Sequence, residues 1–275
     1  MADQSEKPEV FELNNGSMHV KISNFGATIL SLSLPDKQGN LADVVLGFDS
    51  IEPYVKKYKL QHIAFVMLQT RVPKSLLSNV VENCGFKGYD KVIWKVAEQK
   101  NGENPSITFK YHSRDGEEAQ QTYWNLAGHN CGNILEHSIQ IGGPHITPVD
   151  ESTVPTGEIK PVKGTPFDFT SEKKIGASIH EVGLGYDHNY VLDFGEDKSG
   201  LKHAVKLKDP SSSRFYTGNY VNEVVGIGGE VYGKHAGVCL ETQGFPNAIN
   251  QSNFPSVVVR LGETYKHSML YEFSV

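Results

Sequence analysis

The sequence predicts an all-β fold built from many short strands. Three observations carry this. Glycine (27 residues) and proline (13) punctuate the chain throughout. Phenylalanine (13) and tyrosine (12) are plentiful. Several runs alternate apolar and polar residues, the period of a strand with one face buried. Such runs, bounded by turn formers, describe strands joined by tight turns. A length of 275 residues suits one large β domain.

The first strands are read directly. Val10-Phe11-Glu12-Leu13 leads into Asn14-Asn15-Gly16, after which Met18, Val20 and Ile22 alternate with His19, Lys21 and Ser23. Asn-Gly between two such runs predicts a hairpin, because both residues tolerate positive φ. Leu30, Leu32 and Leu34 alternate with Ser31 and Ser33; a turn follows from Pro35-Asp36 to Gly39, and Val44-Val45-Leu46 continues. Ile107 to Tyr111 reads as a further strand, closed by Arg114-Asp115-Gly116. The last expected strand puts Tyr265, His267, Met269, Tyr271, Phe273 and Val275 on one face.

One region departs from this pattern. No glycine falls between Gly47 and Gly85. Leu60, Ile63, Ala64, Met67 and Leu68, then Leu76, Leu77, Val80 and Val81, recur at helical spacing. They predict a pair of short helices over the sheet. Without an internal repeat or low-complexity linker, residues 1–275 read as a single domain, with residues 1–9 expected to be disordered.

Charge and cysteine content narrow the function. The net charge of −6 comes with no basic stripe, so nucleic acid is not an expected partner. The three cysteines, Cys84, Cys131 and Cys239, are widely spaced and form no CxxC or Cys/His zinc pattern. They read as reduced thiols. The polar, acidic N-terminus lacks the basic start and apolar run of a signal peptide. No stretch approaches the roughly 20 apolar residues of a membrane span. A cytoplasmic protein with no membrane partner is expected.

Three segments concentrate polar and aromatic groups. They are Gln121-Thr122-Tyr123-Trp124-Asn125-Leu126, Gly185-Tyr186-Asp187-His188-Asn189-Tyr190 and Cys239-Leu240-Glu241-Thr242-Gln243. Val238, Cys239 and Leu240 read as a buried strand that runs into Glu241. A carboxylate buried there would have a raised pKa, as a general base working near neutral pH requires. The alternative is a glutamate at a strand end facing water. Asp187-His188-Asn189 suits sugar hydroxyls, with Tyr186 and Tyr190 available for stacking, or it is an Asx-type turn. Gln121 to Asn125 is open in the same way. No HExxH, GxSxG, P-loop or dinucleotide fingerprint is present.

Taken in order, these stretches resemble the aldose 1-epimerase (galactose mutarotase) family, plant members especially. The match also includes Asn24-Phe25-Gly26-Ala27, Asp43 to Phe48, Lys87-Gly88-Tyr89-Asp90, Ile146-Thr147-Pro148, Val154 to Ile159 and Phe215 to Asn219. The resemblance implies a large antiparallel β-sandwich with an open cleft. It further implies a monomer without cofactor or metal that interconverts the α and β anomers of galactose or glucose. By resemblance, Glu241 is the catalytic base and Asp187 holds sugar hydroxyls, with Asn125 and Tyr123 alongside.

This sequence departs from the family at several positions. Gln121 stands where the family has its acid histidine, and Gln can donate a hydrogen bond but delivers no proton. Asn83 occupies the place of a second histidine. The family's Asn-Arg sugar-binding pair is not found, and Arg71 is a poor substitute. The chain is also expected to be shortened at two joins, between Glu118 and Ala119 and between Arg214 and Phe215. Together these features suggest a variant transcript or gene model altered around residues 55–85. The competing functional reading is a non-catalytic carbohydrate-binding protein that uses the same cleft.

Overall fold

The computed structural model describes residues 7–56, 92–111, 123–152, 154–183, 185–192, 203–213, 224–225, 231–232, 235–240, 244–258, 260 and 270–274. In chain order the strands are β1 (Val10–Asn14), β2 (His19–Ser23), β3 (Ile29–Pro35), β4 (Leu41–Asp43) and β5 (Val45–Leu46). Next come β6 (Lys95–Lys100), β7 (Ser106–Lys110), β8 (Tyr123–Trp124), β9 (Ser138–Ile141) and β10 (His145–Thr147). Then follow β11 (Lys160–Pro161), β12 (Lys173–Lys174), β13 (Asn189–Val191) and β14 (Val205–Lys208). The last are β15 (Val224–Val225), β16 (Val231–Tyr232) and β17 (Val238–Cys239). Among the described residues one short α-helix, α1 (Glu52–Lys56), and 3₁₀ turns at Ile175–Glu181 and Ala248–Asn250 interrupt them. The chain is all-β, and every described strand pair is antiparallel. No helix among the described residues is long and apolar enough to cross a membrane.

The N-terminal meander has the order β1-β2-β3-β4. Its first turn is the expected Asn-Gly hairpin. Gly16 takes φ +92°, and Asn15 Oδ1 accepts the N–H groups of Ser17 (3.1 Å) and Met18 (2.8 Å). Leu30, Leu32 and Leu34 are buried while the intervening serines are half-exposed, as the alternation requires.

The expected run Val44-Val45-Leu46 is split. Asp43 Oδ1 accepts N–H from Leu32 and from Val45, both at 3.0 Å. A side chain that takes a ladder donor breaks the ladder. β4 therefore stays with β3, while β5 crosses to pair with β8. Ile107 to Lys110 is a strand as expected, within β7, whose partner β6 is exposed along its length.

Of the last expected strand, Tyr265, His267, Met269 and Val275 lie outside the described residues. Phe273 is half-buried, its ring centroid 5.5 Å from that of Trp124, while Tyr271, at 6.3 Å, is exposed. The helices expected within residues 60–81 lie outside the described residues.

One apolar core joins the sheets. Leu32, Leu34, Val45, Trp124, Ile139, Leu207, Tyr186 and Val238 belong to it, drawn from β3, β5, β8, β9, β14, β17 and the segment before β13. Trp124 is 1% exposed and makes the hub. Next to it Asn125 is fully buried. Its Nδ2 donates to Ala236 O (3.0 Å) and Gly132 O (3.2 Å), and its Oδ1 accepts from Ala127 N (3.1 Å). Its own N–H donates to Val44 O at 2.9 Å. One residue thus ties β8 to the start of β5 and to the approach to β17.

A second buried polar cluster adjoins this one, for the Ser212 hydroxyl donates to Leu126 O at 3.2 Å. His137 is 2% exposed, and its Nδ1 stands 3.8 Å from Asp209 Oδ1, beyond hydrogen-bond reach. Burial pushes the His137 pKa down to about 4, against the smaller opposing pull of Asp209. The imidazole is therefore neutral at pH 7. Burial tends to raise the Asp209 pKa, but hydrogen bonds from the Ser211 hydroxyl (2.6 Å) and from Ser212 N–H (2.7 Å) and hydroxyl (2.5 Å) outweigh it. With His137 neutral, these serines hold the carboxylate near pH 7.

Two consequences are measurable. Asn125→Ala strands the buried Ala236 carbonyl and removes the partner of Gly132 O and Ala127 N–H, and should lower unfolding stability by about 1–3 kcal/mol, read as a shifted urea midpoint at constant slope. His137 has a folded-state pKa below its unfolded value of 6.5. The unfolded chain therefore binds the extra proton first as pH falls. Stability should be independent of this group above pH 6.5 and decline by about 3 kcal/mol on the way down to pH 4. His137→Gln should flatten that slope, and an unchanged slope would contradict the assignment.

Candidate active site

Of the three polar segments singled out in the sequence, one leads into the sheet β11-β10-β13, and the other two adjoin one small sheet of order β17-β8-β5. β8 is its centre. Tyr123 pairs with Cys239 on one side and Leu46 on the other, and Trp124 pairs with Val238 and Val45. Val238 and Cys239 are 0% and 7% exposed, so the expected buried strand before Glu241 is present. Gly237 makes the close approach possible: a Cβ there would stand 2.7 Å from Leu46 Cδ2. A side chain there would have to displace the Leu46 side chain.

The strands are antiparallel, so the outgoing end of β17 and the incoming end of β8 share one edge. Glu241 follows Cys239 by two positions, and Gln121 precedes Tyr123 by two. Both lie outside the described residues, as do Asn83 and Arg71. Beyond them the chain is anchored again. Asn247 Nδ2 and Gln251 Nε2 donate to Pro155 O at 3.2 and 3.3 Å, and Asn253 Nδ2 donates to Gly157 O at 2.8 Å. Phe245 and Phe254 pack edge to face with centroids 5.0 Å apart.

Tyr123 is buried at 6% exposure, against Cys239 and Leu46. Asn125 has its amide fully used by backbone groups, as described above. These two neighbours of Trp124 therefore form the floor of the sheet edge.

Asp187 sits on a separate wall. Asp187 N–H donates to Gly185 O (3.1 Å), a tight turn leading into β13. Tyr186, His188 and Tyr190 all engage Phe167. The ring centroids of Tyr186 and His188 lie 5.9 and 4.4 Å from it, and the Tyr190 hydroxyl donates to Phe167 O at 3.0 Å. Tyr186 also packs on Phe169, centroids 4.9 Å apart, and belongs to the same core as Trp124. Asp187 and Asn189 are interleaved with Tyr186, His188 and Tyr190 in sequence, Asp187 in the turn and Asn189 at the start of β13.

The electrostatics follow from burial. Asp187 is exposed by surface, yet crowding around its carboxyl desolvates it and raises its pKa. Burial lowers the His188 pKa. The Tyr186 hydroxyl is pushed up to about 12, by burial first and by Glu181 second, so it stays protonated. The Tyr190 pKa is also raised, chiefly by burial and further by Tyr186 and Asp168. An acceptor carboxylate among neutral aromatic groups suits a neutral polyhydroxylated ligand. Sequence reasoning named Asp187, Tyr123 and Asn125 but overlooked Thr147, the cross-strand partner of Asn189. A lone Thr in a strand carries no local signal of its partner.

Comparison with known proteins places the chain. The family model for aldose 1-epimerase matches residues 9–75 and 119–272. Galactose mutarotase of Sus scrofa is 34% identical over 327 aligned residues, covering 97% of this chain and 94% of that protein. Galactose mutarotase of Homo sapiens is 33% identical with the same coverage. Aldose 1-epimerase of Escherichia coli K12 is 25% identical, covering 94% and 93%. Among solved structures, an aldose epimerase homologue from C. elegans superposes with a TM-score of 0.67 at 21% identity, covering 94% of this chain and 96% of that one. That likeness gives the fold, a β-sandwich. On the family match and the relatives above 30% identity, the chain belongs to the aldose 1-epimerase family.

Proposed function

We propose that this chain is an aldose 1-epimerase acting on galactose or glucose at the edge where β8 and β17 meet. The observation that carries this is the register Tyr123↔Cys239. It sets the incoming end of β8 beside the outgoing end of β17. In this reading Glu241 takes the proton from the C1 hydroxyl as the ring oxygen is protonated and the C1–ring-oxygen bond breaks. The open aldehyde turns about C1–C2. Ring closure on the other face reverses the proton transfers. Asp187 accepts hydrogen bonds from sugar hydroxyls, while Tyr123 and Asn125 position the sheet edge beneath. Proton transfer is the only chemistry required, so the reading includes no cofactor. It is that of a monomeric cytoplasmic enzyme.

A second reading has its own observation. Gln121 holds the acid position and carries no transferable proton. A chain with only the base would bind sugar and turn it over slowly. The reading of a chain altered and shortened within its fold has support of two kinds. The 327 aligned residues exceed the 275 of this chain, so gaps open within it. The second family match begins at residue 119, at an expected join.

The test follows the optical rotation of freshly dissolved α-galactose. A rate equal to the buffer blank would sink the enzyme reading. Given activity, Glu241→Gln should cost ~10²–10⁴-fold in kcat, and an undiminished rate would remove Glu241 as the base. Gln121→His should raise the rate by a similar ~10²–10⁴-fold. No gain in a folded variant that binds sugar would remove residue 121 from the acid position.

A further inference from the structure

β10 and β13 set two unsatisfied polar groups opposite one another. Thr147 pairs with Asn189 in an antiparallel register flanked by Ile146↔Tyr190 and His145↔Val191. Directly opposed side chains share a face, with Cβ atoms roughly 4.5–5.5 Å apart. Thr147 is 0% exposed, and its Oγ1 has no hydrogen-bond partner among the described residues. Asn189 Nδ2 is likewise buried and unpartnered, although the residue as a whole is only half-buried. An orphaned buried group of this kind costs roughly 1–3 kcal/mol. Two facing each other are seldom retained without a use.

Tyr186, His188 and Tyr190 engage Phe167. Asp187 lies in the turn just before β13, and Asn189 opens that strand. Two residues apart, their Cα atoms are separated by no more than about 7 Å. Neighbouring hydroxyls of a sugar ring fit within that span. The amide can offer a donor and an acceptor where the carboxylate offers only acceptors.

We propose that Asn189 is a specificity-determining residue of the sugar site. Its amide holds a hydroxyl adjacent to the one taken by Asp187, while the Thr147 hydroxyl steadies its inner end. Thr147 is a positioning residue that acts through Asn189. The assignment rests on the sugar-binding reading of Asp187 above. It adds that a sugar lacking the matching hydroxyl loses the hydrogen bond to the Asn189 side chain.

The experiment is isothermal titration of galactose and of each monodeoxygalactose into the full chain, the Asn189→Ala variant and the Asp187→Asn variant. Wild type should bind galactose more tightly than one particular deoxy sugar. Asn189→Ala should weaken galactose binding by about tenfold while leaving binding of that deoxy sugar unchanged, so that discrimination at that position disappears. Asp187→Asn should remove discrimination at a different position. Thr147→Val should reproduce part of the Asn189→Ala effect, and Thr147→Ser should restore it. If Asn189→Ala weakens every sugar equally, or weakens none, the assignment of Asn189 is overturned and the role of Asp187 stands. If wild type binds no aldose at all, the sugar-site reading itself fails.

Discussion

Everything in this fold hangs on the attachment of β8. The strand is two residues long and pairs on both sides, with β5 and with β17. So short a ladder offers few backbone hydrogen bonds. The Asn125 amide supplies the remainder, reaching Ala236 O, Gly132 O and Ala127 N from a fully buried position. Trp124 beside it fills the centre of the core at 1% exposure. A buried, fully satisfied polar group has strict geometric demands, so it fixes one register where apolar packing would tolerate several. Register matters here because a one-residue slip would turn the residues that follow β17 to the opposite face.

The wall that carries Asp187 follows a different logic. Its support is aromatic. Phe167 receives Tyr186, His188 and Tyr190 along one side of the strand, and Phe169 closes over Tyr186. Burial keeps both tyrosines protonated and His188 neutral near pH 7, and it raises the pKa of the Asp187 carboxyl among them. A single desolvated carboxylate on an apolar support is a strong acceptor for hydroxyl groups, since little water competes for it.

The sequence made much of this legible, for identifiable reasons. The Asn14-Asn15-Gly16 turn and the Leu30-Leu32-Leu34 alternation are local signals, and the structure repeats both. The buried strand before Glu241 was equally plain from Val238 and Cys239. Where reading failed, the cause was non-local. The split at Val44 comes from Asp43 capturing N–H groups of Leu32 and Val45. The buried pair of His137 and Asp209 joins residues 72 apart in the chain and left no local trace. In the site, Asp187 was legible as part of a polar cluster, whereas Thr147 gains meaning only from its register with Asn189.

The alternation about Phe167 has an evolutionary corollary. Residues 186, 188 and 190 answer to the hydrophobic support, and in the proposed reading residues 187 and 189 answer to the ligand. Selection can therefore act on the two sets almost independently. Drift in sugar preference can proceed through the odd positions while the even ones preserve the scaffold. A lineage could retune what this wall recognises, or abandon recognition altogether, and inherit the same backbone in either case.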